Sequence, residues 1–61
     1  MSMQYQYMWN LQWEDAIDRT EAIHMAKSWK RLTGNNARFR LVMSPDDIRA
    51  FVLRGRKWCM T

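Results

Sequence analysis

The sequence is poor in the residues that cross-link a chain or bind metal. It contains one cysteine, Cys59, and one histidine, His24. A single cysteine excludes an internal disulfide, and one cysteine with one histidine falls short of the four ligands of a structural zinc site. The stability of this 61-residue chain must therefore come from apolar packing. A hydrophobic content of 48% predicts one compact core of marginal size.

Glycine and proline are also sparse, with two and one in the chain. Repeats and blocks of like charge are missing, so we expect a single domain over residues 1–61 without a linker or disordered tail. No apolar run approaches the roughly 20 residues that a membrane-spanning helix needs. The N-terminus lacks the basic start and apolar run of a secretory signal. These features predict a cytoplasmic protein with no membrane partner, and one free thiol agrees with a reducing compartment.

Catalytic signatures are missing as well. His24 and Cys59 are the only candidates for nucleophilic or general base chemistry, and neither lies in a motif that supplies an orienting carboxylate or an oxyanion site. Acidic residues between positions 14 and 21 resemble a carboxylate cluster for magnesium. Asp18 and Glu21 are better explained by the start of a helix, where carboxylates complement the helix dipole. The sequence predicts no enzyme, no metal and no cofactor.

The N-terminal segment alternates between apolar and polar residues, which predicts a strand over residues 3–13. At roughly 3.3 Å per residue this strand would be about 35 Å long, while a globule of this size is nearer about 27 Å across. We therefore expect the strand to bend near Asn10, or to overhang and pair with a second copy in a homodimer. Its aromatic row resembles a stacking platform for single-stranded nucleic acid, but so small a domain needs these rings for its interior. The row consists of Tyr5, Tyr7, Trp9 and Trp13.

A helix is predicted over residues 19–33. Asp18 is a suitable N-cap, Glu21 follows three residues later, and Gly34 is a suitable left-handed C-cap. Helical spacing places an apolar stripe toward the core and a basic stripe about 180° away. The predicted core stripe is Ala22, Met25, Ala26, Trp29 and Leu32, and the outward stripe includes His24, Lys27 and Arg31.

The second half begins with a predicted strand in which Phe39, Leu41 and Met43 face the helix while Arg38 and Arg40 point to the opposite face. Residues 45–54 allow two interpretations. A short second helix is favoured by a serine, a proline and two aspartates, which precede apolar residues at helical spacing. The same residues can form a turn into a strand, although the apolar alternation is poor.

Residues 56–60 are predicted as a closing strand with Trp58 inward. The expected fold is α+β, with one main helix packed on a small sheet of three or four strands.

Charge is divided unevenly along the chain. Residues 1–26 carry one base against four acids, and residues 27–61 carry nine bases against two acids, within a formal net charge of +4. Clustered Lys and Arg attract phosphate or acidic protein surfaces, and Arg suits bidentate contacts with both. We predict two basic patches, one on the outer helix face and one on the open sheet face. The candidate partner-binding or phosphate-binding residues are Lys27, Lys30, Arg31, Arg38, Arg40, Arg54, Arg56 and Lys57.

The order of these segments resembles that of small phage-encoded inhibitors, including some type I anti-CRISPR proteins. The likeness rests on the short N-terminal strand, the helix segment 20–27, the strand segment 39–43 and the closing segment 55–58. It implies a protein that blocks a host nucleic-acid machine without catalysis, and it favours a hairpin over residues 48–60. The net positive charge departs from acidic members that imitate DNA.

The sequence therefore predicts a non-enzymatic basic binding protein. The first hypothesis is a phage or mobile-element inhibitor or regulator that engages a host protein or ribonucleoprotein in the cytoplasm. The alternative is a regulatory module that binds DNA or RNA directly.

Overall fold

A computed structural model describes residues 3–61 as one α+β unit in which a single helix lies on an antiparallel sheet. The sheet order is β2-β1-β3-β4-β5, and the helix packs on β1, β2 and β3. In this described range no helix is long and apolar enough to cross a membrane. The elements in chain order are β1 (Gln4–Trp9), β2 (Gln12–Ala16), α1 (Arg19–Thr33), β3 (Arg38–Ser44), β4 (Asp47–Arg54) and β5 (Lys57–Met60).

The segment predicted as one long strand forms two. Asn10 and Leu11 have φ values of 51° and 65°, which is the pattern of a type I′ turn, and Trp9 pairs with Gln12 across it. The turn lets β1 and β2 pair as a hairpin instead of overhanging. Because β1 has β2 on one side and β3 on the other, its edges are occupied. The first alternative, a bend near Asn10, is therefore confirmed as a turn, and the second, an overhanging strand that pairs with a second copy, is wrong for β1. The homodimer itself stays a prediction.

The predicted second helix over residues 45–54 is also wrong, and so is a sheet of only three or four strands. Pro45 and Asp46 form the turn between β3 and β4, with a register shift between Val42 and Ser44. Proline suits the second position of such a turn as well as the first turn of a helix, so the signal was ambiguous. The hairpin alternative is correct. Strands make up 51% of the described residues and the helix 25%, so the sheet dominates.

Helix α1 has the bounds that the sequence predicted, and its caps explain them. The Asp18 carboxylate accepts a hydrogen bond from the Glu21 N–H at 2.8 Å, and the Glu21 carboxylate accepts one from the Ile17 N–H at 3.1 Å. At the other end Gly34 has a φ of 79° and donates its N–H to the Lys30 carbonyl at 2.7 Å. These bonds satisfy backbone groups that an uncapped helix leaves free.

The core between helix and sheet is thin and rich in alanine. Among its side chains only Phe39 is large and fully buried; its ring stacks on Phe51 at 4.9 Å and meets Trp58 edge-on at 4.8 Å. The inward position predicted for Trp58 is therefore confirmed. The buried apolar residues are Ala16, Ala22, Ala26, Ala37 and Phe39, with Val52 buried on the opposite face of the sheet.

The predicted core stripe of the helix is correct in part. Ala22 and Ala26 are buried, and Met25 and Trp29 are half-buried. Leu32 is 71% exposed, so its assignment to the core is wrong. At about 100° per residue it lies roughly 120° around the helix from Ala26, outside the surface that meets the sheet.

Candidate functional site: a basic end with an apolar cavity

Antiparallel pairing brings the late basic residues to one end of the molecule. Strand β1 ends there in the hairpin turn, β3 begins there, and β4 turns into β5 there, while helix α1 also ends at this side. We call this side the basic end. It carries six of the ten Lys and Arg residues of the chain, namely Lys30, Arg31, Arg38, Arg54, Arg56 and Lys57.

The carboxylates lie elsewhere. Asp18 and Glu21 are at the start of the helix, and Asp46 and Asp47 are at the β3–β4 turn, all at the opposite end, while the other two lie along edge strand β2. Within residues 3–61 the one ion pair joins Arg49 and Asp47 at 3.8 Å, away from the basic end. The charge division along the sequence thus becomes a charge division between two ends of the fold, with six cations at the basic end and four carboxylates beside Arg19 and Arg49 at the other.

A cavity of about 370 Å³ opens at the basic end, between the β1–β2 turn, the end of the helix and the loop at residues 34–37. Its apolar lining comes from Met8, Leu11 and Trp29, and its polar lining from Asn35, Asn36 and Arg38. Leu11 is 88% exposed and stands at the rim. Cations and apolar groups therefore adjoin each other here.

Arg40 belongs to a separate arrangement on the sheet face that no helix covers. Its Nε donates to the Gln6 side-chain oxygen at 2.7 Å, and the Gln6 side-chain nitrogen donates to Asp15 at 2.8 Å. The Arg40 guanidinium carbon lies 4.4 Å from the centroid of the Trp13 ring, a cation–π contact. Arg40 is thus held within the sheet face, and one face of the Trp13 ring is already covered.

The remaining rings of the aromatic row lie under the helix. Tyr5 and Tyr7 pack against the core cluster, and Trp9 approaches Trp29 with a centroid distance of 5.2 Å. Burial, with the nearby Glu14 and Glu21 carboxylates, raises the pKa of Tyr7 above its usual value of 10.0. The interpretation of these rings as interior is confirmed for Tyr5 and Tyr7, which pack against the core, while Trp9 is half-buried between Tyr7 and Trp29. The row offers no continuous stacking platform.

The eight predicted site residues fall into three groups. Six share the basic end, Arg40 lies on the open sheet face, and Lys27 is exposed on the outer face of the helix one turn before Arg31. Arg38 lies at the basic end on the same sheet face as Arg40, so the shared face predicted for these two arginines is confirmed. Lys30 and Arg31 therefore join the sheet arginines at one end, whereas the sequence predicted separate patches. The sequence did not single out the cavity residues Leu11, Asn35 and Asn36.

The two candidate catalytic side chains lie on opposite sides of the sheet. His24 is exposed on the outer helix face, while Cys59 is on β5 in register with Val52, on the face away from the helix. Across residues 3–61 no three His, Cys, Asp or Glu side chains group closely enough to hold a metal ion. The geometry offers no pairing of a nucleophile with a base.

Comparison with known proteins adds no relative. No family model matches the chain, and neither a curated protein nor a solved structure matches it significantly.

Proposed function

We propose that this chain is a non-enzymatic binding protein that docks its basic end on an acidic surface of a partner protein. The observation that carries the proposal is the cavity with apolar lining among six cations and no carboxylate of residues 3–61. Trp, Met and Arg are the residue types enriched at the centres of protein interfaces, and Trp29, Met8 and Arg38 line this cavity together. Positive charge would steer the encounter with an acidic surface.

The resemblance to small phage-encoded inhibitors supplies the biological setting of the proposal. In that setting the protein acts in the host cytoplasm and blocks a protein or ribonucleoprotein by occupying its surface. A small binding protein of this kind needs no reaction centre.

A second candidate is direct binding of DNA or RNA. It is favoured by the spread of the basic-end cations over the helix end, β3, and the β4–β5 turn, because such a spread can follow a phosphate backbone. The rings of the aromatic row are poorly placed to stack on bases, since three lie under the helix and one face of Trp13 is covered by Arg40. We therefore rank protein docking first.

Two triple variants with the same net charge test the proposal. The first carries Arg38→Gln, Arg54→Gln and Lys57→Gln at the basic end. The matched control carries Arg19→Gln, Lys27→Gln and Arg49→Gln, which lie outside it. Immobilised protein is used to capture partners from a bacterial lysate, with and without nuclease. We expect the basic-end variant to lose a partner that the control retains, and nuclease to have no effect.

Oligonucleotide binding is measured with the same variants. If the parent binds DNA or RNA tightly and the basic-end variant reduces the salt slope of the logarithm of affinity by about two to three units, the nucleic-acid candidate replaces the first. Equal capture by both variants, together with an oligonucleotide affinity that neither variant changes, would show that the basic end is a solvated surface and contradict both candidates.

A further inference from the structure

We propose that the cavity at the basic end seats one bulky apolar side chain of a partner's peptide segment, while Arg38 pairs with an acidic residue beside it. This inference deepens the proposed docking function and rests on it for the partner. It adds the local sequence that the partner must present, namely an aromatic or large aliphatic residue next to Asp or Glu.

The size and lining of the cavity fit one side chain. Ligand pockets commonly measure about 300–1,000 Å³, so a volume of about 370 Å³ is at the small end of that range. Met8 and Trp29 are half-buried and present apolar surface to the cavity, and Leu11 adds an apolar wall at the rim. One ring or branched aliphatic side chain would cover these groups.

The backbone at Leu11 gives an independent reason to assign a role to this residue. Type I′ turns favour Asn followed by Gly, since both central residues have positive φ. Leu11 occupies the glycine position with a φ of 65°, while its side chain is 88% exposed. The residue thus accepts a disfavoured conformation without contributing a buried side chain to the fold. Strained backbone beside a cavity is a pattern of functional sites.

The polar side of the cavity points to an acidic peptide. Arg38 is exposed, and within residues 3–61 it makes neither an ion pair nor a side-chain hydrogen bond, so its guanidinium is available to a carboxylate. The exposed Asn35 and Asn36 amides can donate to and accept from a peptide backbone. A second copy docking through the same end would bring two positive surfaces together, which is unfavourable.

The test is a titration of the full chain with capped dipeptides, followed by nuclear magnetic resonance. The indole N–H of Trp29 and the side-chain amides of Asn35 and Asn36 are reporters within the cavity lining. The probes are acetyl-Phe-Asp-amide, acetyl-Phe-Asn-amide, which lacks the charge, and acetyl-Ala-Asp-amide, which lacks the ring. We expect the first to shift these signals and the other two to bind about tenfold more weakly, as expected for the loss of a charge-assisted bond or of ring burial.

A variant that separates binding from folding is Leu11→Gly. Glycine suits the turn, so thermal unfolding should occur at a higher temperature than in the parent, while the dipeptide should bind several-fold more weakly. The matched control is Ile17→Ala, because Ile17 is 87% exposed but lies at the opposite end of the fold. It should leave dipeptide binding unchanged. Arg38→Gln should make the Asp and Asn probes bind equally.

Three results would overturn the inference. The first is a titration in which no dipeptide shifts the cavity signals, and the second is equal binding of the Asp and Asn probes by the parent. The third is a change of the same signals with protein concentration alone that persists near about 1 M salt, where attraction between opposite charges is screened, or a change with an oligothymidine probe at lower concentration than the dipeptide. Either change would assign the cavity to a second copy or to nucleic acid. If partner capture still depends on Arg54 and Lys57 while dipeptides fail to bind, docking stands and the cavity assignment falls.

Discussion

Phe39 is the residue on which the core depends most, since it is the only large side chain that the described part of the fold buries completely. Its ring joins the central strand β3 to β4 and β5 through Phe51 and Trp58. The other buried residues are small, with the exception of Val52, so little apolar surface could compensate for its loss. Trp29 is only half-buried and packs on one neighbouring ring, Trp9.

Replacement of these two aromatic residues should therefore have unequal effects. Phe39→Ala should lower the free energy of unfolding by about 3–5 kcal/mol, the usual cost of emptying such a site in a core. Trp29→Ala should cost less than Phe39→Ala, because part of the Trp29 side chain remains exposed. Urea unfolding followed by circular dichroism measures both. A larger loss from Trp29 than from Phe39 would contradict this description of the core.

Individual residues were predictable where their type matches their position. Asp18 was identified because its carboxylate suits a helix N-cap, and Gly34 because a residue without a side chain suits a left-handed C-cap. Leu11 was not identified as a turn residue because leucine rarely adopts positive φ and carries no turn signal. The cavity was missed for the same reason. Because the sequence did not predict the turn at Asn10 and Leu11, it did not predict that Met8 and Leu11 lie beside one cavity.

Among the elements, helix α1 begins and ends where local hydrogen bonds cap it. The cap at its start should therefore contribute to stability separately from the core. The Asp18 carboxylate satisfies the Glu21 N–H, and this bond is exposed to solvent. Asp18→Ala should therefore lower the free energy of unfolding by about 1 kcal/mol, while Asp18→Asn or Asp18→Ser should preserve most of it. Thermal or urea unfolding measures the series. If all three variants match the parent, the cap contributes nothing to stability.

The helix was predictable because its signals are local, whereas β4 was not. Phe51 faces the core, and Val52 on the other face is only 4% exposed, so both faces of β4 carry apolar residues and the alternation of a half-buried strand is lost. Pairing with β3 and β5 decides the conformation, and that pairing is not encoded in the segment itself. A proline followed by aspartates suits both a turn and a helix start, so local signals could not decide between them.

At the scale of the whole molecule, topology decides what the charge division of the sequence means. The skew toward late basic residues was visible in the sequence, but the number of basic patches was not, because it depends on which strand ends meet. The antiparallel order places the end of α1, the start of β3 and the β4–β5 turn on one side. Helix α1, about 22 Å long by its residue count, separates this side from the acidic one.

Such a charge division predicts a particular mode of self-association. Strand β1 has no free edge for two-fold pairing, and two basic ends repel each other. A basic end can instead contact the acidic end of the next molecule. At an ionic strength of about 0.1 M, charges interact over about 10 Å, so contacts between opposite ends should outweigh the repulsion of the net charges. We therefore expect weak head-to-tail association, which is heterologous and does not close into a two-fold dimer.

Light scattering at high micromolar concentration measures this association. The apparent mass should exceed the 7.5 kDa of one chain at about 0.1 M salt and return to it near about 1 M, where the interaction range falls to about 3 Å. The variant with Arg38→Gln, Arg54→Gln and Lys57→Gln should remain monomeric at both salt concentrations, since it removes half of the positive charges of the basic end. A mass that stays above one chain at high salt would indicate an apolar interface instead. A strict monomer at about 0.1 M would show that the charge division is too weak to direct association, and the basic end would then depend on a partner more acidic than this chain's own carboxylate end.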